Sequence, residues 1–201
     1  MKLYFSPGAC SLAPHIALRE AELDVELIRV DLASHQLDDG SDYYQINSKG
    51  AVPMFELDNG ERLTEGVAIM QYIADLVPQK NLAPANGTFA RSRLHENLNF
   101  IATEIHKTWG VRFNPKADPV SKGVYADRLL QQYSSMNQRF SEDEWLLGKN
   151  YSVADMYLFV TTFWSNFLPL DLSEFNHLNS FIERMSQRPA VQAAMKAEGL
   201  I

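Results

Sequence analysis

The apolar and polar positions of this chain follow two regimes, short alternating runs first and helical stripes afterwards. Lys2 to Phe5 is a short strand candidate. Leu12, Ile16, Ala17 and Leu23 keep approximate helical spacing, with Arg19, Glu20 and Glu22 on the other side, which predicts a helix from Leu12 to Ala21. Pro14 fits that helix only in its first turn, where a missing N–H costs nothing, so the helix must begin close to Cys10. Ile28, Val30 and Leu32 alternate against Arg29 and Asp31, and Val25 to Leu32 reads as a strand. Strand, helix and strand at this spacing predict a βαβ unit with parallel strands. Ala33 to Gly50 is polar and irregular, with one helical turn around Asp42 to Ile46. Asn59-Gly60 between two apolar runs is a hairpin signal. Thr64 to Val77 follows as a helix with Val67, Met70, Ile73, Ala74 and Val77 on its apolar face, stopped by Pro78. The expected first domain, residues 1–80, is therefore a four-stranded mixed sheet with helices, in the order βαβ-ββα.

Residues 81–87 have the composition of a linker, and after them the strand signals end. Residues 88–201 read as an all-helical domain. Thr88 to about Gly110 carries an apolar stripe of Leu94, Leu98, Ile101, Ala102, Ile105 and Trp109. Beside it runs a polar row, His95, Asn99, Thr103 and His106, which reads either as a solvated shoulder or as one wall of a polar cleft. Ser121 to Phe140 is a further helix with Val124, Leu129, Tyr133 and Met136 as core candidates. Ser152-Val153-Ala154-Asp155 resembles a capping box with Asp in place of Glu or Gln. The almost wholly apolar run Met156 to Leu168 is expected to lie buried at the centre of this domain, ended by Pro169. His177 to Arg188 and Ala190 to Glu198 form two last helices. The aromatic clusters Phe163, Trp164, Phe167 and Trp109, Phe113 read by default as core.

Composition narrows the function classes. The chain has 201 residues and a net charge of -7, which argues against a general nucleic-acid binder and against an anionic membrane surface. A single cysteine excludes an internal disulfide and fits a reducing compartment. The start lacks the long apolar core of a secretory signal, and no apolar run has the length of a membrane span. A cytoplasmic, soluble protein is expected. His95 and His106 do not have the i, i+4 spacing of a helical two-histidine site, so no metal is expected.

Chemistry concentrates in Ser6-Pro7-Gly8-Ala9-Cys10-Ser11. Pro7-Gly8 marks a turn between strand and helix. Cys10 then falls near a helix start, where unpaired N–H groups and the macrodipole favour an anion and lower a thiol below its free value of about 8.5. A lone cysteine is also commonly a small buried apolar residue, and position alone leaves both readings open. Pro53 stands at a strand entrance, either as an ordinary trans proline or as a cis proline that exposes the preceding backbone.

The order βαβ-ββα, linker and helices resembles the soluble glutathione transferases. Ser6-Pro7-Gly8-Ala9-Cys10-Ser11-Leu12 is similar to the active-site signature of their bacterial beta class. So are Gly50-Ala51-Val52-Pro53, Leu63 to Tyr72, Asn99 to Lys107 and the capping motif at Ser152 to Asp155, and the resemblance runs from end to end. It implies an α/β thioredoxin-like N-terminal domain followed by an all-α C-terminal domain. It also implies transfer of glutathione to small electrophiles with cysteine-dependent thiol–disulfide activity, and detoxification by a homodimer without a tightly bound cofactor.

Residue by residue, the resemblance makes Val52-Pro53 the cis-proline site, with the Val52 backbone pairing with the cysteinyl part of glutathione. The N–H groups at Glu65-Gly66 would hold the γ-glutamyl carboxylate, and the Glu65 carboxylate its ammonium. Asn99, Thr103, Glu104 and His106 would form the far wall, with His106 hydrogen-bonded to Cys10 or to the bound sulfur. The single cysteine implies a one-thiol route in which a second glutathione releases a mixed disulfide. Two departures stand out. Phe5 occupies a place where the family often has tyrosine, and alternation sends Tyr4 to the opposite face. His35 stands where a lysine commonly pairs with the glycine carboxylate, so glutathione affinity is expected to weaken from mildly acidic to mildly basic pH. A non-catalytic member of the same fold that binds ligands or a partner is the alternative, and a glutathione-using dehalogenase or isomerase would share the site.

Overall fold

The computed structural model describes residues 1–201, and the chain divides into two packed units, Met1–Leu82 with Arg188–Ile201, and Ala83–Gln187. In the first unit, strand β1 (Lys2–Phe5) is central. It pairs in parallel with β2 (Glu26–Asp31), Leu3 opposite Leu27, and antiparallel with β4 (Met54–Glu56), Leu3 opposite Phe55. The connection from β1 to β2 is helix α1 (Leu12–Glu20), as a parallel pairing requires. Strand β5 (Arg62–Thr64) closes the hairpin with β4 through Asn59-Gly60, where Gly60 takes φ +86°. Helix α2 (Gly66–Leu76) follows.

A fifth strand, β3 (Gln36–Leu37), pairs antiparallel with the end of β2 and gives the order β3-β2-β1-β4-β5. The four-stranded expectation misses it because two residues are too few to show a period. The turn expected near Asp42 is a 3₁₀ helix, Tyr43–Gln45, capped by the Asp42 carboxylate on Tyr44 N–H.

Alternation along β1 sorts the sheet into two faces. Tyr4 joins Val30, Tyr43, Val52 and Met54 in one buried cluster. Phe5 approaches His15 of α1, with ring centroids 6.3 Å apart. Phe5 and Tyr4 therefore serve different faces, as the period of two demands.

The last helix, α8 (Pro189–Ala197), packs against α1 in the first unit. Residues 188–201 thus differ from the sequence division at residue 88. The reason lies in polar partners that no periodicity reveals: Arg188 Nε donates to Glu20 at 2.6 Å, and His15 meets Glu198 at 2.8 Å.

The second unit is helical. Helix α3 (Phe89–Phe100) runs through a π-helical turn, Ile101–His106, into α4 (Lys107–Phe113). Thr88 caps it through its hydroxyl on Arg91 N–H. Helix α5 (Pro119–Arg139) is capped by Asp118. Its Leu129, Tyr133 and Met136 are buried, but Val124 is exposed, a correction to its expected core place. Tyr133 receives the Trp109 indole N–H at 2.9 Å and donates to the Thr161 carbonyl at 3.0 Å.

Helix α6 (Val153–Phe163) is buried from Val153 to Thr162. It starts in the expected capping box, where Asp155 accepts from Ser152 N–H at 2.8 Å and also from Leu146 N–H at 2.8 Å. It yields to a 3₁₀ turn at Trp164–Asn166, so Phe167 is exposed rather than core, as Phe113 also is. Helix α7 (Asn176–Ser186) completes this unit. No helix is long and apolar enough to cross a membrane.

Candidate active site

The turn that carries Cys10 is held from several directions. Ala9 N–H donates to the Ser6 carbonyl at 3.0 Å, and Ser11 Oγ bridges back to both Ser6 N–H and Ser6 carbonyl. Gly8 takes φ +70°, a conformation that side-chain-bearing residues resist. The Cys10 carbonyl accepts from Ala13 N–H at 3.2 Å, so the cysteine lies in the turn entering α1, immediately before its first helical residue, Leu12. Pro14 falls in the first turn. Cys10 is half-buried, and its Sγ donates to the Val52 carbonyl at 3.3 Å. The inert reading of a wholly buried apolar thiol does not fit this geometry.

The Val52–Pro53 peptide is cis. The adjoining Ala51 carbonyl is occupied by Tyr43 Oη–H at 3.0 Å and by the Asn47 amide at 2.7 Å, which fixes the backbone on the other side of Val52. Past the β4–β5 hairpin the chain returns at Glu65, the residue before α2, with φ +70°. A non-glycine residue in that region costs about 1–3 kcal/mol and persists only where its surroundings hold it. Ile69 N–H donates to the Glu65 carbonyl at 3.0 Å, opening the helix. A Cβ on Gly66 would stand 3.5 Å from the Pro53 ring, so the start of α2 and the cis proline are neighbours. The Glu65 carboxylate is exposed and meets Lys49 Nζ at 3.0 Å, while Lys49 also donates to Thr64 at 3.1 Å.

His35 lies on the same stretch of the first unit. Its Nδ1 is 3.1 Å from the Gly50 carbonyl, and its ring leans on Tyr44 with centroids 4.6 Å apart. Gly50 sits between them at φ +61°; a Cβ there would come within 2.5 Å of the Tyr44 ring. Cys10, His35, Val52, Glu65 and Gly66 thus all belong to the first unit, with direct contacts from Cys10 to Val52 and from His35 to Gly50, and with Gly66 beside the Pro53 ring.

In the second unit, Asn99, Thr103, Glu104 and His106 follow the helix through its π turn. Lys107 N–H bonds back to the Ala102 carbonyl, the i to i−5 step that defines such a turn. Thr103 Oγ1 donates to the Asn99 carbonyl at 3.0 Å, and both residues are exposed. Glu104 is drawn to Arg128 of α5 at 2.5 Å, and that hydrogen bond holds its carboxyl below the usual range. His106 Nδ1 meets the Tyr157 hydroxyl, and its ring packs edge-on against Trp164 with centroids 4.9 Å apart. No group of three or more His, Cys, Asp and Glu side chains gathers as a metal site requires.

Two family models match the chain, the glutathione S-transferase N-terminal domain over residues 1–75 and its C-terminal domain over residues 100–189. The chain belongs to the glutathione S-transferases. It is 42% identical over 200 residues to the glutathione S-transferase GstA of Escherichia coli O157:H7, each chain covered completely. Among solved structures it is similar to the bacterial beta-class glutathione S-transferase of Sphingomonas chungbukensis, at 42% identity and TM-score 0.97 over both whole chains. A sphingomonad glutathione S-transferase complexed with glutathione matches at 42% identity and TM-score 0.96, again over both whole chains. The chain is thus a glutathione transferase of the bacterial beta-class kind, with a thioredoxin-like first domain, a helical second one, and glutathione as its co-substrate.

Several residues around these candidates carry no motif. Lys49 donates to both Glu65 and Thr64, Tyr157 and Trp164 frame His106, and Arg128 holds Glu104. Lys49 directly precedes the Gly50 to Pro53 run, a proximity that sequence reading could have used. Arg128 and Tyr157 come from other helices, and spacing along the chain holds no trace of them.

Proposed function

We propose that Cys10 is the reacting group of this glutathione transferase, and that conjugation of glutathione to electrophiles is accompanied by thiol–disulfide exchange through a mixed disulfide on Cys10. The observation that carries the reading is the 3.3 Å contact between Cys10 Sγ and the Val52 carbonyl. A glutathione whose cysteinyl backbone pairs with Val52 in the manner of an added strand brings its own sulfur to the place where the Cys10 side chain points. In exchange, the Cys10 thiolate attacks the sulfur of a glutathione-containing disulfide, forms a Cys10–glutathione disulfide and expels the other thiolate. With no second cysteine in the chain, a second glutathione thiolate attacks the glutathione sulfur of that bond. Glutathione disulfide leaves, and the Cys10 thiolate is restored. In conjugation, glutathione's thiolate displaces the leaving group of the electrophile and forms the carbon–sulfur bond.

The co-substrate is held, in this reading, by Val52, by the Gly66 N–H at the start of α2 for the γ-glutamyl carboxylate, by Glu65 for its ammonium and by His35 for the glycine carboxylate. Asn99, Thr103, Glu104 and His106 are the contacts assigned to the second unit, with His106 as the hydrogen-bond partner of the sulfur. The non-catalytic alternative is not favoured, because the full-length relatives carry the name of an enzyme. A homodimer, a detoxifying role and a cytoplasmic setting, to which a single half-exposed cysteine is suited, complete the proposal. Steady-state assay of Cys10→Ala tests it. Thioltransferase activity with a glutathione mixed disulfide should fall at least about a hundredfold, as expected for loss of a nucleophile. Retention of full activity removes the role.

A further inference from the structure

Two donors converge on one carbonyl beside the cis proline. Tyr43 Oη–H donates to the Ala51 carbonyl at 3.0 Å, and the Asn47 amide donates to the same oxygen at 2.7 Å and to Tyr43 Oη at 3.4 Å. Both side chains are buried. Tyr43 is fixed on two further sides. Its ring packs on Tyr4 with centroids 5.7 Å apart, and its N–H donates to the His35 carbonyl at 2.9 Å. Burial pushes the Tyr43 hydroxyl above the usual phenol range, so it stays a proton donor at neutral pH.

Satisfying the Ala51 carbonyl does not explain this arrangement. One donor would be enough, and Ala51 is itself exposed. The consequence lies one atom further along the chain. A peptide unit is planar, and the cis bond of this chain is the next one, Val52–Pro53, so the Val52 N–H points directly away from the Ala51 carbonyl. Whatever fixes that oxygen aims the N–H. We propose that Tyr43 and Asn47 are positioning residues for glutathione. They hold the Ala51–Val52 peptide so that the Val52 N–H meets the cysteinyl carbonyl of the co-substrate. Through its own N–H, Tyr43 also ties the segment of His35, assigned to the glycine carboxylate, to the segment of Val52. This rests on the pairing of glutathione with the Val52 backbone proposed above.

The dissociation constant of glutathione, measured by calorimetric titration of the full chain, is the test. Tyr43→Phe keeps the ring in its cluster and removes the donor; the constant should rise at least about threefold, as for the loss of a neutral hydrogen bond. KM for glutathione should rise alike with kcat within about twofold, because the cysteinyl backbone is held equally before and during the reaction. Tyr4→Phe makes the same chemical change in the same buried cluster and leaves Ala51 untouched. Its dissociation constant should stay within about twofold of the parent. Asn47→Ala removes the other donor and should act as Tyr43→Phe does; it is read alone if Tyr43→Phe does not fold. An unchanged constant in the donor variant, or an equal rise in Tyr4→Phe, overturns the inference. Glutathione methylated on its cysteinyl nitrogen lacks the N–H that would meet the Val52 carbonyl, and it tests the underlying pairing in the parent protein. It should bind at least about fivefold more weakly than glutathione. If it does while Tyr43→Phe binds glutathione like the parent, the positioning role alone falls. If the parent binds both equally, the pairing at Val52 falls and the inference with it.

Discussion

The Cys10 thiol donates to the Val52 carbonyl at 3.3 Å, across 42 residues of sequence and at the cis peptide that precedes Pro53. That contact joins the two motifs on which the proposed function rests, and in that proposal neither works alone. A thiol at a helix start has no substrate, and an exposed strand backbone has no nucleophile.

Glu65 separates binding from stability. Its carboxylate is exposed and its partner Lys49 is exposed too, and such pairs contribute about 0–1 kcal/mol. Glu65→Ala should therefore leave urea denaturation nearly unchanged. If the carboxylate holds the ammonium of glutathione, KM for glutathione should rise about tenfold or more, the loss expected for a charge-assisted hydrogen bond. Lys49→Ala should change KM far less.

Gly50 supports the His35 region by its lack of a side chain. In Gly50→Ala the new Cβ would meet the Tyr44 ring at 2.5 Å and the His35 ring at 3.0 Å, on a backbone at φ +61°. Destabilisation of more than about 1 kcal/mol is expected. Displacement of His35 should also raise KM for glutathione, and thermal melts and steady-state kinetics on the one variant read both effects.

A third prediction concerns the departure at His35. If the imidazole holds the glycine carboxylate, His35→Ala should raise the dissociation constant of glutathione about threefold or more, and His35→Lys, which supplies a cation at the same place, should restore it. Calorimetric titration of the parent and the two variants checks this.

The capping box of α6 yields a stability prediction with a definite sign. Burial pushes the Asp155 carboxyl up to about 6, against the hydrogen bonds from Leu146 and Ser152 that pull it down. The folded state then holds the proton more tightly than the unfolded chain. The group's favourable contribution is present at low pH and is lost as pH rises through about 6, by roughly 3 kcal/mol. Urea denaturation at about pH 4.5 and about pH 7.5 should show the parent losing more stability across that interval than Asp155→Asn. Asp155→Ala, which removes the acceptor of two buried backbone N–H groups, should cost at least about 2 kcal/mol.

What could be read from the chain and what could not follows from the range of the physics involved. Period and punctuation are local, so the βαβ unit, the Asn59-Gly60 hairpin, the Ser152–Asp155 box and the burial of α6 were all legible. Strand β3 was not, because two residues carry no period. The π turn at Ile101–His106 was not, because one extra residue per turn leaves the apolar stripe intact while it re-aims the polar row. The docking of α8 onto α1 rests on Glu20, Arg188, His15 and Glu198, and buried partners so distant in sequence leave no pattern. Cys10 and Val52-Pro53 were visible as motifs, whereas Lys49, Arg128 and Tyr157 reach their candidates only through the fold.

The most direct test of Cys10 as the reacting group is mass spectrometry of the intact protein after incubation with glutathione disulfide. The account predicts a single glutathionyl adduct, mapped to Cys10, removed by reduced glutathione and absent from Cys10→Ala. An unmodified parent protein, or a Cys10→Ala variant that keeps full thioltransferase activity, would contradict it.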